Sequence, residues 1–232
     1  MKKVLLALLL IVAAAAAFYV HLGYYNGPVF RDLPAADPDP ERPAIVILSG
    51  DMGNTTIGMT PKIAAHLHRQ GYTVVTANSL TYFSSRRTAG ETTALIEQAM
   101  SRAQRLGKTR NVVLIGQSFG ADMLHAGLAG MPAGMRTPIR AVILVVPEQD
   151  IVFRASPVEL AGFETPDQLA YPTASRLTWV PVTCIQGQEE TDSLCPELHM
   201  PNVRRIVLPG GHNLHRDDDT LAAAILPAIR SE

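Results

Sequence analysis

The stretch Asn111-Val112-Val113-Leu114-Ile115-Gly116-Gln117-Ser118-Phe119-Gly120-Ala121-Asp122-Met123-Leu124 decides the fold. Asn111 to Ile115 reads as a short strand, apolar enough to be buried on both faces. Phe119 to Leu128 reads as a packed helix, and Gly116-Gln117-Ser118-Phe119-Gly120 joins the two. A Gly-x-Ser-x-Gly pentapeptide carries weight only in this setting. There the serine sits on a strained strand-to-helix turn, where bulky side chains two residues to either side would strike neighbouring backbone. Ser118 is therefore the expected nucleophile.

Working outward, strands and helices alternate on both sides. Towards the N-terminus come strands Ala44–Leu48 and Tyr72–Ala77, with helices over Thr60–Gln70 and Gly90–Leu106. Towards the C-terminus come strands Ala141–Val146, Val182–Ile185 and Val203–Leu208, then a closing helix Leu221–Ile229. This rhythm predicts an α/β fold in one compact domain, a mostly parallel sheet with helices on both faces. Pro147 to Thr178 breaks it, with Pro157, Pro166 and Pro172 scattered through. That segment is expected to lie as a cap or specificity loop over the carboxyl ends of the strands, where ligands bind in open α/β sheets.

A serine nucleophile needs a base. His212 follows the last strand through Pro209-Gly210-Gly211 and precedes the closing helix. In the chain order Ser, acid, His, that is the base's place. His215 is the competitor nearest to it. The acid should come from the loop Gly187-Gln188-Glu189-Glu190-Thr191-Asp192. Asp192, short and close to Cys195, is the favoured orienter of His212. Glu190, where counting from the glycine places this acid in many hydrolases, is the alternative. The oxyanion hole needs two backbone N–H donors. Phe119 supplies one, and Asp51 or Met52, in the loop after the first strand, supplies the other. Together these assignments describe an α/β-hydrolase fold.

At 232 residues and 47% hydrophobic content, the chain can bury a full single-domain core. A net charge of −1 argues against nucleic acid as a partner. Asp217-Asp218-Asp219 reads as a solvated helix start, not a metal site. Neither a metal nor another cofactor is called for by acyl transfer through serine. Lys2 and Lys3 precede an apolar run from Val4 to Val20, the pattern of a secretory signal. Two outcomes stay open for residues 1–25: cleavage after Ala15-Ala16-Ala17, or an uncleaved anchor with Phe18, Tyr19, Tyr24 and Tyr25 as an interfacial belt. Both export the domain at 44–232. Residues 26–43, with Pro28, Pro34, Pro38, Pro40 and Pro43, read as a linker. The two cysteines, Cys184 and Cys195, fit a disulfide in an oxidising compartment.

Five motifs, in order, resemble one family: Leu48-Ser49-Gly50-Asp51, Asn78-Ser79-Leu80-Thr81-Tyr82-Phe83, Gly116 to Asp122, Cys184-Ile185-Gln186-Gly187 through Asp192-Ser193-Leu194-Cys195-Pro196, and Pro209-Gly210-Gly211-His212. They are similar to the bacterial virulence proteins VirJ and AcvB over nearly the whole exported domain. The resemblance implies a periplasmic serine hydrolase that cleaves the aminoacyl ester of aminoacylated phosphatidylglycerol, chiefly the lysyl form. A membrane phospholipid would then be its substrate. It also implies a link to virulence and, in some members, to type IV secretion-system proteins as partners. Met52-Gly53-Asn54 stands where the family usually has Gly-Gly-Trp, and Thr81 and Ser84 replace a usual arginine and tryptophan. Asp122, one helical turn past Ser118, and Tyr82 are the expected substrate-binding residues, with a structural hydrogen-bonding role as the alternative for Asp122. Asp122 or Asp51 would meet a cationic head group. The competing function is a non-catalytic binding or chaperone factor built on the same fold, which would have no use for an intact Ser, acid and His.

Overall fold

The computed structural model describes residues 2–21, 23–24, 27–51, 56–155 and 165–230. Among them run nine strands: β1 (Phe30–Leu33), β2 (Ala44–Leu48), β3 (Val74–Ala77), β4 (Val112–Gln117), β5 (Ile139–Val145), β6 (Asp150–Ile151), β7 (Gln168–Leu169), β8 (Val182–Gly187) and β9 (Val203–Leu208). Seven form one sheet in the order β1-β3-β2-β4-β5-β8-β9. Every pairing in it is parallel except β1 with β3. β6 and β7 pair separately.

Alternation along the buried strands builds two cores. Ala44, Val46 and Leu48 of β2, with Val112 and Leu114 of β4, face helices α3 (Ala89–Gly107) and α4 (Phe119–Ala129). Ile45, Ile47, Val113 and Ile115 face α2 (Met59–Arg69) and α5 (Asp218–Arg230), which pack side by side. Helices thus cover both faces, as strands without a polar side require. α3 starts on a capping box, with Thr88 and Glu91 each satisfying the other's backbone N–H. Asp217 accepts from the Thr220 backbone N–H just ahead of α5, so the acidic triplet does open a helix.

Two stretches differ from expectation. The proline-rich 26–43 is not all linker: Phe30–Leu33 is the antiparallel edge strand, in register with Val74–Ala77. Prolines cannot donate within a ladder but are tolerated beside an edge strand. Here Pro28 and Pro34 flank four paired residues, and Asp32 ties the strand to α3 through Arg102 at 2.6 Å. Tyr24, expected in an interfacial belt, is instead buried in the core. Its hydroxyl donates to the Ser84 carbonyl at 3.2 Å, and Thr81 Oγ1 donates to the Gly23 carbonyl at 2.6 Å. The packed domain therefore reaches back to Gly23. Tyr25 lies outside the described residues.

Lys2–His21 forms a helix, α1, whose leucines are exposed along its length. Among the described residues, no helix is long and apolar enough to cross a membrane. The irregular segment after β5 contains the β6–β7 hairpin and a helical turn at Tyr171–Ala174 that packs on α4. Pro157 lies outside the described residues.

Candidate active site

Ser118 sits between β4 and α4 with φ 52 and ψ −130, a region that non-glycine residues enter at a cost of about 1–3 kcal/mol. The structure fixes it there from both sides. Its N–H donates to the Val145 carbonyl at 2.8 Å, and its carbonyl accepts from Ala121 N–H at 2.6 Å. The flanking glycines are sterically compelled. A Cβ on Gly116 would lie 2.5 Å from Ala121 Cα, and one on Gly120 2.4 Å from the Leu48 carbonyl oxygen. Gly120 thereby lets the start of α4 press against the end of β2.

His212, on the loop after β9, brings Nε2 to 2.7 Å from Ser118 Oγ. Its Nδ1 lies 2.8 Å from Glu190 Oε1. Because the carboxylate accepts from Nδ1–H, Nε2 is left as the acceptor for the serine hydroxyl. The Glu190 hydrogen bond raises the His212 pKa above the usual imidazole value. Burial opposes this, and Glu148 and Asp192 add to the rise.

Asp192, the favoured acid of the sequence reading, makes no hydrogen bond or ion pair with His212; Glu190 does. The reason is local. Glu190 Oε2 accepts from the Gly187 backbone N–H at 2.6 Å, so the longer side chain curls back over the end of β8. Only 2% of that side chain is exposed. Asp192 is exposed, and its backbone carbonyl accepts from Gln149 N–H at 3.1 Å. Gly187 makes the meeting possible: a Cβ there would lie 2.4 Å from the Gly211 carbonyl oxygen and 2.5 Å from that of Gly210. The histidine loop crosses directly over the root of the acid loop.

Cys184 and Cys195 are joined in a disulfide, with Cα atoms 5.5 Å apart. The bridge ties the far end of the acid loop to β8. The same loop is stitched to the chain after β5: Leu194 N–H donates to the Pro147 carbonyl at 2.9 Å, and Glu148 pairs with Ser193.

For an oxyanion, Phe119 is the first residue of α4, so its N–H has no acceptor within the helix. The loop after β2 passes beside the nucleophile, since a Cβ on Gly50 would lie 3.4 Å from Ser118 Cβ and 3.9 Å from Oγ. Asp51 is buried there, while Met52 lies outside the described residues.

The two expected substrate residues are otherwise engaged. Asp122 is buried, and its Oδ1 accepts from the Glu148 backbone N–H at 3.0 Å. It braces the chain after β5. Tyr82 donates its hydroxyl to the Glu91 carbonyl at 3.0 Å and carries Arg87 over its ring. Its neighbour Phe83 packs edge-on against Phe119. His125 is fully buried, with Nδ1 2.9 Å from Thr173 Oγ1, and burial lowers its pKa to about 3. It is a neutral packing residue linking α4 to the irregular segment.

Sequence reasoning missed Glu148, whose Oε1 lies 3.9 Å from His212 Nε2. Burial raises its pKa, His212 opposes the rise, and Asp51, Asp192 and Glu190 add to it. Its position three residues past β5, the strand beside the one that leads into Ser118, is the available signal.

The fold is similar to that of several solved α/β-hydrolases. Est1E from Butyrivibrio proteoclasticus aligns with a TM-score of 0.61 at 14% identity, over 87% of this chain and 94% of that one. The α/β hydrolase GrgF from Penicillium sp. sh18 aligns at 0.62 and 12%, over 87% and 93%. The Bacillus licheniformis lipase BlEst2 aligns at 0.60 and 12%, over 88% and 99%. At these identities the likeness is one of fold. No curated protein sequence matches. The family description "Bacterial virulence protein (VirJ)" matches residues 43–232, which takes in the elbow, the stapled acid loop and the histidine loop alike. On that match, and with the α/β-hydrolase fold in place, the chain belongs to the VirJ family of bacterial virulence proteins.

Proposed function

We propose that this protein is an exported serine hydrolase that cleaves the aminoacyl ester of aminoacylated phosphatidylglycerol, the lysyl form foremost. One observation carries the hydrolase reading: Ser118 Oγ, His212 and Glu190 lie in a continuous line of hydrogen-bonding contacts of 2.7 and 2.8 Å. In this mechanism Nε2 removes the hydroxyl proton as Oγ attacks the ester carbonyl. The Phe119 N–H and a donor from the loop after β2 meet the oxyanion. Glu190 stabilises the imidazolium, which returns its proton to the departing glycerol oxygen. Water, deprotonated by His212, then attacks the acyl-enzyme carbonyl; the bond to Oγ breaks, the imidazolium returns its proton to Ser118 Oγ, and the free amino acid departs.

The substrate rests on the family resemblance. Export rests on Lys2 and Lys3 ahead of an apolar run and is supported by the disulfide, a bond of oxidising compartments. Ser118 paired with His212 favours catalysis over the binding-factor reading.

The test is release of free lysine or alanine from vesicles containing the matching aminoacyl-phosphatidylglycerol. The wild type should release it, and Ser118→Ala should not. Intact lipid after prolonged incubation with protein that a fluorophosphonate labels at Ser118 would remove the lipid substrate and leave the hydrolase.

A further inference from the structure

Glu148 is a carboxylate that acyl transfer through Ser118, His212 and Glu190 does not require. It approaches the imidazole from the side opposite Glu190, with Oε1 3.9 Å from Nε2, the nitrogen that faces Ser118 Oγ at 2.7 Å. At 3.9 Å it makes no hydrogen bond. Both Glu148 Oε1 and Ser118 Oγ thus approach the same imidazole nitrogen, which puts the carboxylate on the Ser118 side of the ring, near where an acyl group on Oγ would sit. Its side chain is 47% exposed, so a substrate can reach it.

The backbone holds Glu148 in this place. Its N–H donates to buried Asp122, its strand-like pairing is with Ser193, and Gln149 N–H donates to the Asp192 carbonyl at 3.1 Å. Through Ser193 and Asp192 the residue is fixed to the loop that the disulfide closes. Among the described residues, no lysine or arginine forms an ion pair with it; the titratable base beside it is His212. Burial raises its pKa, His212 opposes the rise, and Asp51, Asp192 and Glu190 add to it, so a cation brought to this spot relieves the cost of its charge.

We propose that Glu148 sets specificity by receiving an ammonium group carried by the substrate's acyl portion, two bonds from the ester carbonyl. The inference rests on the serine-hydrolase reading above. In the acyl-enzyme the ester carbon is bonded to Oγ, and the α-ammonium of an amino acid lies on the next carbon. That is within salt-bridge reach of a carboxylate held beside Nε2. A neutral acyl chain would leave the carboxylate unpaired, and an anionic one would be repelled.

The experiment compares alanine ethyl ester with ethyl propionate, which differ by that ammonium alone. For each enzyme the ratio of the two kcat/KM values is read, so intrinsic ester reactivity cancels between enzymes. Glu148→Gln should lower the ratio by about 10- to 100-fold relative to wild type, the range of a charged hydrogen bond. Glu148→Lys should lower it further and raise the relative rate on the monoethyl ester of succinic acid, whose acyl portion is anionic. Ser118-dependent turnover with ratios within about twofold of each other in wild type and Glu148→Gln overturns this inference alone. Turnover of neither ester by the wild type removes the hydrolase reading and the inference with it.

Discussion

At the elbow, the atoms that crowd Gly116 belong to Gly120 and Ala121, four and five residues along the chain. At Gly187 they belong to Gly210 and Gly211, on a different loop. Both glycines let backbone approach where a Cβ would collide, and both place a reacting side chain. The first constraint is met within the six residues Gly116 to Ala121; the second exists only once β8 and β9 lie side by side. A nucleophile can therefore be positioned by local sequence, whereas its base and acid are positioned by the crossing of two loops. The crossing is the more fragile arrangement, which accords with its bracing by a disulfide and by hydrogen bonds to the chain after β5.

Breaking either region should give the largest effects. Ser118→Ala and His212→Ala should each lower kcat by about 10³-fold or more, with the double variant little worse, because the two act as a unit. Gly187→Ala should approach the loss seen in His212→Ala, since its new methyl group displaces the histidine loop. Retention of most activity in Gly187→Ala, measured on a neutral ester, would mean that the crossing does not set the geometry.

The comparison also accounts for what could be read in advance. β2 and β4 are legible because Ala44–Leu48 and Val112–Ile115 are unbroken apolar runs, and the elbow is legible because Gly116 answers to neighbours in the chain. β1 is not, because its flanking prolines carry the signature of a linker and only pairing with β3 makes it a strand. Counting from the glycine points to Glu190, but a short side chain next to Cys195 favours Asp192, and the sequence cannot show that the Glu190 side chain folds back on Gly187 N–H. For Glu148 the sequence offers only its place just past a strand end, for a related reason. Nothing in Val146-Pro147-Glu148 tells that Asp122 and Ser193 will hold it against His212.

Reducing the disulfide sharpens the contrast from the other side. It should lower kcat/KM by roughly 10- to 100-fold through misplacement of Glu190, before circular dichroism reports any unfolding. The elbow, which the bridge does not touch, should still accept a fluorophosphonate, more slowly. Equal activity with the bridge open and closed would show that it plays no part in placing the acid.

The smallest effects concern pH. His212 must be neutral to act as base, and its pKa is raised, so kcat/KM should fall as pH drops through a value above the ordinary imidazole range. Glu148 contributes to that rise and Asp192 contributes less. The acid limb should therefore move to lower pH in Glu148→Gln, and by a smaller step in Asp192→Asn. A shift to higher pH in either variant would contradict the assigned electrostatics.

The central claim is that His212 takes its orientation from Glu190 across the loop crossing. The most direct test is kcat/KM on one neutral ester for Glu190→Gln and Asp192→Asn, each checked for native folding. Glu190→Gln should lose about 10²- to 10⁴-fold, as removal of a triad acid does, and Asp192→Asn should stay within about threefold of wild type. The reverse order, with Asp192→Asn crippled and Glu190→Gln active, would contradict the account.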